Sequence, residues 1–249
     1  MSPRSSMPMG NFTLPPFTRG VKWLLVIAVA VSIAVPLGGG AGQVFGALVA
    51  LSPDAVLHGY VWQLFTYTFL HRSPESIIFA VLGLWLLGGS LESMWGTRRF
   101  VTFYLATSAL AALATVLVAL VWRSVALQTY SGDAPVLNAL AAAFAVSLPG
   151  ATIFLIILPI QARLLLPITA GITLLSMIFA GSAAPFLPHA FGIGTGVLLA
   201  GGVRSPRQLW LRVRVWWIDR RLRSRRLRVV RGEDDQPGRG RSGSDKYLH

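Results

Sequence analysis

Apolar residues in this chain gather into long blocks, without the regular polar interruptions that mark the amphipathic helices and strands of water-soluble domains. The blocks occupy 21–35 (VKWLLVIAVAVSIAV), 75–91, 100–122, 136–148, 164–180 and 188–202. A helix that satisfies all its own backbone groups needs about 17–25 such residues to cross a hydrocarbon core of about 30 Å. The pattern therefore predicts six transmembrane helices in an all-α polytopic bundle, the fourth short and the sixth rich in glycine. A further apolar run, 151–160, is broken by Pro159 and too short to span, so it reads as a re-entrant or interfacial connector. The stretch between the first two blocks, 36–74, is too long for an idle connector. Its clusters, Val44, Phe45, Leu48, Val49 and Leu51, then Val61, Trp62, Leu64, Phe65, Tyr67, Phe69 and Leu70, predict short amphipathic pieces half-sunk in the outer leaflet.

Composition agrees with this reading: 54% hydrophobic against 12% charged residues, with a mean hydropathy of +0.62, excludes a soluble domain. Arg19 and Lys22 could open a cleaved signal peptide, but Arg4 and a proline-rich stretch precede them and no cleavage site followed by a soluble domain is evident. A retained first helix is the reading adopted. The formal charge of +13 is one-sided: Arg4, Arg19, Lys22, Arg98, Arg99, Arg163 and an arginine cluster after the last block share one side, against Arg72 and Arg123 on the other. The positive-inside rule then places both termini in the cytoplasm, with the plasma (inner) membrane as the expected location. Four regions follow: a cytoplasmic segment 1–20, a membrane domain 21–203, a basic segment 204–231 and a polar, disordered tail 232–249. The basic segment interleaves Trp210, Trp216 and Trp217 with arginines, which suits anionic lipid headgroups and requires no nucleic acid.

Polar groups at membrane depth are functional candidates because they are expensive to bury. His71, Glu75, Glu92, Asn138 and His189 stand in or beside the blocks. No ligand spacing supports a metal at His71 with His58 or Glu75, no cofactor is expected, and without cysteine there is no disulfide or thiolate site. The absence of an intramembrane carboxylate cluster and of an inverted repeat argues against a transporter.

Two segments carry a family resemblance: WQLFTYTFLHRSPESIIFAVLGLWLLGGSLESMWGTRRFVTFY at 62–104 and PFLPHAFGIGTGVLLAG at 185–201. They resemble the rhomboid intramembrane serine proteases. The resemblance implies a six-helix fold in which His189 is the general base and Gly192 and Gly196 pack the sixth helix on the fourth. It also implies structural roles for His71, Glu92, Gly96, Arg98 and Arg99, with the glutamate and arginines tying helix ends together. Where a rhomboid has its nucleophile motif this chain reads Gly132-Asp133-Ala134-Pro135, so Ala134 occupies the serine position. The two oxyanion positions are Ser76 and Ala80, and Gln63 replaces an arginine that usually follows the loop tryptophan. An imidazole activates only a hydroxyl within hydrogen-bond reach. The implied function is a pseudoprotease that binds transmembrane helices of client proteins. The alternative is an active endopeptidase using Ser131, three residues upstream of Ala134, with His189 as base. Asn138 is expected to hydrogen-bond His189 across the bundle.

Overall fold

The computed structural model describes residues 15–155 and 158–201. Most of the N-terminal segment 1–20, the basic segment 204–231 and the tail 232–249 lie outside them. The described chain forms α1 (Arg19–Leu37), α2 (Gly39–Val49), α3 (Pro74–Trp95), α4 (Thr97–Ala119), α5 (Ala134–Ser147), α6 (Ala162–Phe179) and α7 (Leu187–Ala200). Of these, α1, α3, α4 and α6 are each long and apolar enough to cross a bilayer. The 14-residue helices α5 and α7 reach only about 21 Å at 1.5 Å per residue. The protein is an all-α polytopic membrane protein whose described residues form a bundle of six helices, with α2 and three short helical turns folded into the long first loop.

Close backbone approach organises the centre. Helix α5 buries Val136, Ala139, Leu140, Ala141, Ala142 and Ala143, and its run of alanines leaves room for neighbours. Against it lies the glycine face of α7. A Cβ at Gly192 would stand 2.0 Å from the Pro135 carbonyl oxygen, and one at Gly196 would stand 2.5 Å from the Ala139 Cα. No side chain fits either position, which is how small residues at four-residue spacing bring helices together in lipid. Of the four long helices α4 is the most enclosed, with 44% of its most apolar window buried, and α6 the least, at 17%.

Several local features add detail that the sequence pattern does not carry. The connector 151–160 is an antiparallel hairpin, β1 (Thr152–Leu155) paired with β2 (Leu158–Gln161), Thr152 opposite Gln161. Pro159 denies a helix its hydrogen bond, while an edge strand tolerates it. A π-helical turn, Leu84–Gly88, interrupts α3. A Cβ at Gly88 would meet the Phe100 ring at 2.9 Å, and one at Gly89 would meet, at 2.8 Å, the Pro16 carbonyl oxygen of the strap that leads into α1. In the first loop, Val44, Phe45, Leu48, Val61, Trp62 and Phe65 are exposed, while Gln63 is buried. Its Oε1 accepts the Ser52 N–H at 2.9 Å, so the glutamine pins the loop from within.

Candidate functional site

The site forms where the start of α5, the start of α7 and the loop before α3 converge. His189, on the first turn of α7, is half-buried, with its ring 5.7 Å from that of Phe186. It shares a cavity of about 160 Å³ with Tyr67, Ser131 and Pro135. Its Nδ1 is buried without a hydrogen-bond partner. Asn138 does not supply one: its Nδ2 reaches toward the Thr173 Oγ1 at 3.5 Å, away from α7. The expected bond across the bundle is therefore replaced by a weak contact with α6.

Ala134 is the first residue of α5 and brings no hydroxyl to the cavity. Ser76 is turned to its own helix start, donating to the Ser73 carbonyl at 2.6 Å, and Ala80 is fully buried. Neither residue lines the His189 cavity. Ser131 does, but the strand of chain that carries it is held on both sides. Tyr130 exchanges both backbone hydrogen bonds with Leu51, at 2.8 and 2.9 Å, and its hydroxyl donates to the Ala184 carbonyl at 2.8 Å. The Gly132 N–H donates to the Tyr67 carbonyl at 2.9 Å. Gly132 adopts φ +92°, a conformation only glycine takes readily, so the turn into α5 is fixed by residue type as well.

The next residue is one that the sequence reading passed over. Asp133 is buried, and its Oδ1 lies 3.0 Å from the Nε2 of His71, itself buried. His71 also donates its backbone N–H to the Ser32 Oγ at 2.9 Å, and that hydroxyl donates to the Phe69 carbonyl at 3.2 Å. The histidine at the end of the first loop thus joins α1 to the entry of α5, and Asp133 is the partner that anchors it. The second carboxyl oxygen, Oδ2, has no partner. Burial pushes the Asp133 carboxyl above its ordinary range, and the His71 hydrogen bond and charge pull against that. An acidic residue next to an apolar block was the available signal. Its place within the altered nucleophile motif drew attention to the missing serine instead.

At the far end of α3, Glu92 is buried and accepts four hydrogen bonds. They come from the Thr18 hydroxyl, the Gly20 and Val21 amides at 2.8 and 2.9 Å, and the Thr97 hydroxyl at 2.5 Å. The carboxylate thus caps the N-terminus of α1, where backbone donors and helix dipole both favour an anion. A Cβ at Gly20 would lie 2.8 Å from Oε2, so glycine there is what admits it. Among the described residues Glu92 has no ion pair with an arginine, and it links the end of α3 to the starts of α1 and α4 by these bonds alone. Arg98 and Arg99 are exposed, and the Arg99 guanidinium sits 5.3 Å over the Trp95 ring. Gly96, at φ +82°, makes the turn between α3 and α4. No group of three metal-ligating side chains occurs among the described residues.

Residues 19–199 match a family described as "Eukaryotic integral membrane protein (DUF1751)", and the match takes in more than half of the chain. The chain is a rhomboid-like member of that family. Over 82 residues it is 38% identical to rhomboid protease GlpG of Salmonella choleraesuis (strain SC-B67), a match covering 32% of this chain and 29% of the relative. The corresponding proteins of Salmonella paratyphi A (strain ATCC 9150 / SARB42) and Salmonella typhi are 37% identical over the same length and coverage. The chain thus matches less than a third of the length of these curated relatives. The proteolysis in their names is theirs.

Proposed function

We propose that this protein is a rhomboid homologue without protease activity that holds transmembrane helices of client proteins. The observation that carries the reading is the setting of His189: its cavity receives Ser131 but no hydroxyl bonded to the imidazole, and position 134 is an alanine. A general base without a hydroxyl to deprotonate performs no acyl transfer. The loosely enclosed α6 supports a binding role. It exposes Ile172, Leu174, Leu175, Ile178 and Phe179, an apolar face that lipid or another helix can cover. In this reading both termini are cytoplasmic in the plasma (inner) membrane, and 204–231 lies on anionic headgroups without engaging nucleic acid. Arg19, Lys22, Arg98, Arg99 and Arg163 mark the cytoplasmic end, and 204–231 supplies a further cluster of arginines.

One observation favours a second reading, since Ser131 lines the same cavity as His189. Labelling of the reconstituted protein with a fluorophosphonate serine probe separates the two, with Ser131→Ala, His189→Ala and an active rhomboid run in parallel. The proposal expects no labelling of this chain while the control labels, together with binding of a transmembrane peptide that survives His189→Ala. Labelling lost in both variants would make Ser131 the nucleophile and overturn it.

A further inference from the structure

A groove of about 660 Å³ opens at the Glu92 end of the bundle, between the start of α4 and the end of α7. Its rim is Trp95, Arg98 and Arg99, and its inner wall is Phe103, Ala106 and Leu199. The turn at Gly96 joins two helices that are each long and apolar enough to span, so it marks where the bilayer surface must lie. Trp95 then sits at headgroup depth, where tryptophan is enriched. Phe103 and Ala106 lie about 6 and about 10 Å below Arg99 along α4. The groove is therefore cationic at the surface and apolar beneath it, with both halves continuous.

Among the described residues neither arginine has an ion-pair partner, and Arg99 rests on the Trp95 ring. The ion pairs among the described residues are both between histidine and aspartate, and the nearest carboxylate, Glu92, is saturated by Thr18, Gly20, Val21 and Thr97. We propose that this groove binds the headgroup and upper acyl chains of an anionic phospholipid, the phosphate on Arg98 and Arg99 and the chains along Phe103, Ala106 and Leu199. Arginine is suited to phosphate because its planar fork donates in pairs. Among the described residues no acidic side chain lines the groove, so none of them offers an acceptor for the ammonium group of a zwitterionic lipid. A client helix is excluded by size, since a spanning helix of about 10 Å diameter and 30 Å length fills on the order of 2,000 Å³. The segment 204–231 carries net charge of the same sign as the rim, and the carboxylates beyond residue 203 that could compete for it are Asp219, Glu233, Asp234, Asp235 and Asp245.

The test is photocrosslinking of the full-length protein in proteoliposomes with photoactivatable phosphatidylglycerol or phosphatidylcholine, with adducts mapped by peptide mass spectrometry. The expected result is labelling of peptides spanning 95–106 and 199 by the phosphatidylglycerol probe, about tenfold above the phosphatidylcholine probe. Arg98→Gln with Arg99→Gln should bring the two probes level, and Arg98→Lys with Arg99→Lys should preserve most of the difference. Ala106→Phe, which narrows the groove and leaves the charges, should also reduce labelling, so the proposal stays testable if the glutamine variant folds poorly. Equal labelling by both probes, or undiminished labelling in the glutamine variant, would overturn it. So would displacement of the probe by millimolar glycerol phosphate, which would mean a soluble anion site. Labelling that emerges only in a Glu233→Gln, Asp234→Asn, Asp235→Asn variant would assign the groove to the chain's own acidic segment.

Discussion

Glu92 and Asp133 are both buried carboxylates at opposite ends of the helix bundle, and they are treated differently. Glu92 accepts four hydrogen bonds, two from the first turn of α1 and two from threonine hydroxyls. Asp133 engages His71 through Oδ1 and leaves Oδ2 bare, and within the same end of the bundle the Tyr104 hydroxyl and the His189 Nδ1 are also unpartnered. A buried polar atom without a partner is destabilising by about 1–3 kcal/mol, so a region that keeps three of them is not arranged for stability alone. The Glu92 end is built to hold helices together. The other end leaves these polar groups unsatisfied, and in the reading proposed above it is a former reactive site with Ala134 in place of a serine.

Replacing each carboxylate gives the largest expected effect. Glu92→Ala strands four donors and uncaps α1, which should lower unfolding free energy by about 4 kcal/mol at about 1 kcal/mol per bond. Asp133→Ala removes one bond and one already unpartnered oxygen, and should cost about 1–2 kcal/mol. Denaturant unfolding in detergent micelles, followed by helical signal, measures both. Equal losses would mean that the two ends are anchored alike and would remove the contrast.

The next effect concerns chemistry. Ala134→Ser alone should give slow, His189-dependent fluorophosphonate labelling, because the hydroxyl returns while Ser76 and Ala80 supply no oxyanion donors. Adding Ser76→His and Ala80→Asn, whose longer side chains must reach a cavity that the native residues do not line, should raise the labelling rate by about 10² to 10³ for each donor that arrives. No labelling in the triple variant would show that the tight seat of Pro135 against Gly192 has moved α5 out of reach of His189.

Much of this was legible in the sequence because lipid imposes a coarse rule. Backbone groups must be satisfied within each span, so the block 21–35 became α1 and the block 75–91 became α3 with only a few residues added at each end. Gly192 and Gly196 were legible for the same reason, since four-residue spacing of small residues has one common use in a membrane. Pairings between distant polar residues were not legible. Asp133 and His71 are 62 positions apart, and Glu92 reaches back 72 to Gly20, so neither partner follows from local spacing. Glu92 ties helix ends through backbone amides and hydroxyls whose positions no local spacing reveals. The hairpin at Thr152–Gln161 was obscured because a short apolar run fits a connector as well as a strand.

The smallest effect tests how firmly the loop beside His189 is held. Tyr130 is buried, donates its hydroxyl to the Ala184 carbonyl at 2.8 Å, and has its pKa pushed up to about 12 by burial from an ordinary 10.0. Because the folded value is the higher, the stabilisation is complete below pH 10 and is lost as the pH rises toward 12. By pH 11 the wild-type protein should have lost part of this stabilisation, less than the roughly 1.4 kcal/mol of a full pKa unit because solvent screens the hydroxyl. Tyr130→Phe should be less stable near neutral pH by about 1 kcal/mol for the lost hydrogen bond, and should lack this part of the alkaline decline. The wild-type and variant unfolding midpoints should therefore converge between pH 10 and 12. Parallel curves over that interval would mean that Tyr130 ionises as freely in the folded protein as in the unfolded chain. The loop carrying Ser131 would then be open to solvent, and the fixed position of Ser131 beside His189 would lose one of its supports.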